Sequence, residues 1–377
     1  MIRIGAVVDT FDLGGFELAC LDLLRRLDPE KFTSSVYAFR PGSLVLQARE
    51  AGIPVVVGHD KQPADREWVD ADTRAREAWT ARLVELLSAA KVDVCLTWAW
   101  PEAIPAARAA GVRAVVERVD GPSLAIRVAD KSDIARVIVE SRTVRDVLLV
   151  QRERVRLDPR RVVVIRNGVD LERFDPRRFS RESARASLGL PRDGWVVGTV
   201  ARLAPEKNLA QAIAAFAMAR NADASFAHRA WLVLTGPDGG SRADLEQIAA
   251  ENGIGDRVVF SGPTSDQPAV LAAFDAFVTT SYTEGSPAAV LEAMAMGLPL
   301  VATPVGALLE LIDGNALLVD VMAPRATCEA FLNLFRAPEL GARLGARSRA
   351  IARRWGVARQ VRHYERVIEE AWREATA

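Results

Sequence analysis

The feature that most constrains this chain is a rhythm that runs through it twice: short apolar runs alternate with amphipathic helical stretches. Strand-like runs fall at residues 2–8, 34–39, 55–57, 92–97, 114–117, 136–139 and 162–165, with helical periodicity between them. The first helical stretch, residues 16–27, follows a Gly14-Gly15 turn. Strands separated by helices are joined by crossovers, so the expectation is a parallel sheet covered on both faces. The rhythm breaks at Arg166-Asn167-Gly168-Val169-Asp170, which is turn chemistry, and a link follows through Phe174-Asp175-Pro176 and a basic stretch to Arg185. It resumes at 195–200, 231–235, 258–260, 276–279, 300–302 and 317–319. The fold class expected is therefore α/β, in two similar halves. A last stretch, residues 356–372, places Val357, Val361, Tyr364, Val367, Ile368 and Trp372 on one helical face.

Composition supports two cores rather than one, since the chain has 377 residues and is 50% hydrophobic. Lys plus Arg and Asp plus Glu number 49 each, so no global field exists to attract nucleic acid, and any electrostatic site must be local. Cys20, Cys95 and Cys328 lie in apolar stretches without the spacing of a metal site or a disulfide framework, which fits a reducing compartment. The first residues lack the basic start of a signal peptide, and no apolar run approaches the roughly 18 residues of a membrane span. A soluble, cytoplasmic protein is expected, with peripheral docking on the inner face of a membrane left open.

Candidate chemistry concentrates in the second half, at Thr283-Glu284-Gly285-Ser286-Pro287-Ala288-Ala289-Val290-Leu291-Glu292. Ser286 before Pro287 reads as a cap and first helical turn, with Glu284 in the preceding loop and Glu292 inside the helix. A helix start after a parallel strand is where phosphates and hydroxyl-rich ligands bind. The helical neighbours of Glu292 are Ala288, Ala289, Ala295 and Met296, which supply no cation, so its carboxylate needs polar partners. The hydroxyls of a ribose would serve; an ordinary surface glutamate is the alternative. Arg202 and Lys207 follow the first strand of this half, either as solvated loop charges or as the cations that neutralise a departing diphosphate.

Taken in order, these segments resemble the family 4 retaining glycosyltransferases. The similarity covers Gly14-Gly15-Phe16-Glu17, Ile165-Arg166-Asn167-Gly168-Val169-Asp170, and Arg202 with Lys207. It continues through Leu234-Thr235-Gly236-Pro237-Asp238, Val258-Val259-Phe260-Ser261-Gly262, and the run from Glu284 to Gly306 with Glu310 after it. The resemblance implies the GT-B architecture, two Rossmann-like domains with parallel sheets facing across a cleft. Residues 1–170 would form the acceptor-side domain and 171–354 the nucleotide-sugar-binding domain, with 355–377 a helix crossing back to the first. It further implies that Glu284 contacts donor-sugar hydroxyls, Glu292 holds the ribose, and Arg202 and Lys207 bind the diphosphate. The backbone near Gly262 would lie by the base, that of Gly285, Ser286, Pro287 and Ala288 by the phosphate and sugar, and Gly14 and Gly15 would let the first loop approach the donor. Transfer would retain anomeric configuration, with a UDP-, GDP- or other nucleotide-sugar donor and neither metal nor cofactor. The acceptor would be a glycan, a lipid-linked saccharide or a small molecule.

One position departs from the family pattern. A histidine is usual after a strand of the first domain, near the transferred sugar, whereas this chain reads Val116-Glu117-Arg118-Val119-Asp120-Gly121. Asp120 either assists the developing charge at the anomeric carbon, as carboxylates do in glycosyl chemistry, or is a turn residue before Gly121-Pro122. Asp70-Ala71-Asp72 matches a manganese-holding signature, but acids are ordinary in a first helical turn. Trp98 and Trp100 stand at a strand end, as core or as a stacking surface for an acceptor. Three other functions remain to be separated: a nucleotide-sugar epimerase of the same architecture, a non-catalytic donor-binding subunit, and an NAD-dependent dehydrogenase, whose three-glycine fingerprint is missing from Asp12-Leu13-Gly14-Gly15-Phe16-Glu17.

Overall fold

The computed structural model describes residues 1–12, 15–59, 69–98, 100, 102–119, 131–132 and 134–377. Gly14 and Asp120 lie outside the described residues. The chain divides into two compact units, Met1–Arg166 with Ala358–Ala377, and Asn167–Val357.

In the first unit β1 (Ile2–Thr10), β2 (Phe32–Arg40), β3 (Val55–Val57), β4 (Val94–Trp98), β5 (Ala114–Val119), β6 (Arg136–Val139) and β7 (Val162–Val164) form one sheet, ordered β3-β2-β1-β4-β5-β6-β7. Every pairing is parallel. Each expected run is a strand, and only the ends move. The central strands are mostly apolar because helices cover both faces: Ala6, Val7, Val94, Cys95 and Val116 are all buried. The helix Val69–Ala89 begins at the Asp70-Ala71-Asp72 stretch.

The last helix, Val357–Thr376, completes this unit by burying Val361, Tyr364, Val367, Ile368 and Ala371. Its Tyr364 ring lies parallel to that of Trp98 with centroids 6.4 Å apart. The Arg118 guanidinium contacts both faces, 4.7 Å from Trp98 and 5.7 Å from Tyr364, and also bonds the Tyr364 hydroxyl. A buried guanidinium needs such company, and here cation–π contact and Glu140 share the task. Trp98 and Trp100 therefore belong to the core, at 4% and 1% exposure.

In the second unit β8 (Trp195–Val200), β9 (Ala230–Thr235), β10 (Val258–Gly262), β11 (Ala276–Thr279), β12 (Leu300–Ala302) and β13 (Ala316–Leu318) form a parallel sheet ordered β10-β9-β8-β11-β12-β13. Successive residues point to opposite faces, so Val197, Leu232 and Val301 join one core while Val196, Val233 and Leu300 join the other. This is why each strand reads as an unbroken apolar run rather than an alternating one.

Candidate functional site

The order of the second sheet reverses between β8 and β11, with β9 beyond one and β12 beyond the other. The connections leave these strands in opposite directions, which opens a crevice at their carboxyl ends. Two loops line it, residues 201–208 after β8 and residues 280–287 after β11.

The first loop is pressed against the one after β9. Gly236 makes this possible: at φ 148° it lies so close that a Cβ would fall 1.9 Å from the Ala201 carbonyl oxygen. Pro205–Lys207 then forms a single tight turn, and Asn208 follows in the left-handed region at φ 49°. Its Nδ2 donates to the Thr280 carbonyl at 3.1 Å, and the Thr280 hydroxyl donates back to the Asn208 carbonyl at 2.8 Å. These reciprocal bonds fasten the two loops together.

Lys207, one residue before that fastening, is thereby aimed at the second loop. Its Nζ lies 2.7 Å from Glu284 Oε1, and the Ser281 hydroxyl donates to the same oxygen at 2.6 Å. Glu284 is 8% exposed, so a cation and a hydroxyl are what its burial as a carboxylate requires. Neither bond uses Oε2. The backbone of Glu284 is clamped too: Ala307 N donates to its carbonyl at 3.3 Å, and Gly306, at φ 52°, leaves only 1.8 Å between that oxygen and the place of a Cβ.

Arg202 shares the first loop but points elsewhere. Its guanidinium pairs with Glu206 and is 59% exposed. Glu292 is different again. It lies on the helix Ala288–Ala295, and among the described residues its carboxylate accepts no hydrogen bond and makes no ion pair. Burial pushes its carboxyl up to about 7, with Arg173 acting in the opposite sense.

The helix start corrects one expectation. Ser286 does not cap it; Pro287 takes the cap position at ψ 98°, with no side-chain cap bond, and the helix begins at Ala288. Proline fixes φ and lacks an N–H, so it suits the residue before the first turn as well as the first turn itself. Ser286 instead offers its carbonyl to Asn167 Nδ2 at 3.3 Å. The amides of Ala288 and Ala289 come before any intrahelical acceptor and face outward from the helix start. Gly285, Ser286 and Pro287 are the half-buried residues leading to it. Gly262 ends β10 at φ 75° with open space where a Cβ would be. Gly15 opens the helix Gly15–Arg26 of the first unit.

Sequence reasoning missed Ser281, Asn208, Thr280 and Arg173. Only Asn208 carried a local signal, since asparagine tolerates the left-handed conformation and this one directly follows Lys207. Thr303 adds a further tie, its hydroxyl donating to the Ser281 carbonyl at 2.9 Å.

Solved structures share this arrangement of two parallel-sheet units over nearly their whole length. One is the Anabaena Alr3699/HepE protein in complex with UDP and glucose, similar at TM-score 0.80 and 21% identity over 98% of this chain and 100% of that one. Another is WaaG, a glycosyltransferase involved in lipopolysaccharide biosynthesis, at TM-score 0.76 and 15% identity over 97% and 99%. The fold is thus GT-B.

Residues 180–351 match the family described as glycosyl transferases group 1. A D-inositol 3-phosphate glycosyltransferase of Salinispora arenicola (strain CNS-205) is 31% identical over 87% of this chain and 72% of its own length. A 2-deoxystreptamine glucosyltransferase of Streptomyces kanamyceticus is 34% identical over 54% of each. The chain belongs to the glycosyl transferases group 1 family and is a glycosyltransferase.

Proposed function

We propose that this enzyme transfers a sugar, with retention of configuration and without a metal ion, from a nucleotide-diphosphate donor bound in the crevice of the second unit to an acceptor hydroxyl. The observation that carries the reading is the Lys207–Glu284 contact at the β8/β11 reversal, where strand order alone would put a ligand. Lys207 and Arg202 supply positive charge to the departing diphosphate, and the amides of Ala288 and Ala289 add a helix terminus. Glu284 Oε2 accepts from a donor-sugar hydroxyl, and Glu292 accepts from the ribose. Donor binding also satisfies Glu292, which has no hydrogen bond or ion pair among the described residues. Asp120 takes the place of the family histidine and steadies positive charge at the anomeric carbon.

The organisation of cations ahead of reaction is the main catalytic contribution expected of such a site, because charge developing on the leaving group then needs no rearrangement of the protein. The acceptor is a hydroxyl on a saccharide, a lipid-linked saccharide or a small polyol. Inositol phosphate and 2-deoxystreptamine, named in relatives, are the first small acceptors to try. The test is product analysis by NMR after incubation with UDP-, GDP- and ADP-sugars and each acceptor. A glycoside with the donor's anomeric configuration supports the reading. An inverted product removes retention, and a donor isomerised without acceptor makes the chain an epimerase.

A further inference from the structure

One cation of the second unit is placed by the fold and given no task above. The Asp170 carboxylate accepts from the amides of Glu172 and Arg173, both at 3.0 Å, and the next side chain, Phe174, is buried in the core. Turn and anchor together fix where Arg173 leaves the backbone. Its guanidinium lies 5.2 Å from the Phe174 ring centre, and Nη2 donates to the Ser265 carbonyl at 3.2 Å, in the loop just past Gly262. From that position its charge favours the ionised form of Glu292, against the effect of burial. The same segment reaches the other loop of the site, through Asn167 and the Ser286 carbonyl. Residues 167–173 thus contact both the loop after β10 and the loop that leads to the Glu292 helix.

We propose that Arg173 is a nucleoside-binding residue, its guanidinium lying over the base and ribose of the donor between the loop after Gly262 and Glu292. This rests on the donor-site reading above and adds to it the group that grips the nucleoside. The chemistry favours arginine there. Its plane stacks on a heteroaromatic ring and its spare N–H groups donate to ring or ribose oxygens, which a lysine ammonium does not reproduce. The side chain is exposed, so it is free to settle on a ligand without breaking the core, and the Ser265 bond holds it at the rim until then.

The test is calorimetric titration of UDP, GDP, ADP and inorganic pyrophosphate into the wild type, Arg173→Met and Arg173→Lys. Arg173→Met is expected to weaken the tightest nucleotide by about tenfold or more and to change pyrophosphate affinity by less than about twofold. Arg173→Lys should recover only part of the loss. The pH midpoint of nucleotide binding should also move up in Arg173→Met, because the opposing charge on Glu292 is gone. Unchanged nucleotide affinity overturns the proposal, as does an equal loss for pyrophosphate, which would make Arg173 a general electrostatic attractor. A folded wild type that binds none of the three nucleotides defeats the donor-site reading itself, and this proposal with it.

Discussion

Two carboxylates of the second unit, eight positions apart in sequence, have opposite circumstances. Glu284, in the loop, has its lysine, its serine and a clamped backbone. Glu292, on the helix, has no hydrogen bond or ion pair among the described residues and a carboxyl raised to about 7. The first is prepared by the protein; the second is prepared for something else. Satisfied groups hold a structure together, whereas a half-buried carboxylate with no bond among the described residues costs stability when ionised and makes sense where a ligand supplies the missing donors.

The sharpest way to break the comparison is at the satisfied end. Glu284→Ala strands Lys207 and the Ser281 hydroxyl, so turnover should fall by about 100-fold or more, with a stability loss of about 1–3 kcal/mol read by urea melts. Glu292→Gln should do something different. The carboxyl ordinarily titrates at 4.5 and here at about 7, so the folded state holds its proton longer than the unfolded chain does. The wild type therefore loses stability as pH rises between those values, by up to about 3 kcal/mol, and the loss persists above them. Glu292→Gln removes that term: it should melt higher than wild type at about pH 8 yet bind nucleotide about tenfold more weakly. A mutant both destabilised and inactive would mean that Glu292 is structural.

Asn208→Ala tests the fastening between the loops. It puts alanine, which tolerates the left-handed region less well than asparagine, at that position and leaves the Thr280 carbonyl without its donor, for about 1–3 kcal/mol. Asn208→Gly should cost less, since the backbone conformation is then unstrained. The smallest structural effect is expected at Arg202. Its pair with Glu206 is solvent-exposed, so Arg202→Ala should leave the melting temperature almost unchanged while weakening diphosphate binding about tenfold.

What the sequence disclosed follows from range. Strands such as Trp195–Val200 are legible because apolar runs between helices have few other places to go. The loop positions of Glu284, Arg202 and Lys207, and that of Glu292 in the helix that follows, were legible because they come directly after apolar strands. The bonds that aim them were not. Asn208 to Thr280 and Thr303 to Ser281 join residues far apart in the chain, and no local pattern marks such partners. The helix cap was misread because Ser-Pro suits two adjacent positions, and here Pro287 takes the cap. Whether Trp98 was core or an acceptor surface could not be read locally, because the tyrosine it stacks on lies in the last helix.

The measurement closest to the central claim is a thermal-shift series with UDP, GDP and ADP on the wild type, Lys207→Met and Glu292→Gln. At least one nucleotide should raise the wild-type melting temperature by several degrees, as expected of about 100 times Kd, and should raise neither mutant's by more than a fraction of that. Equal shifts in all three proteins would place the nucleotide away from this crevice and contradict the account.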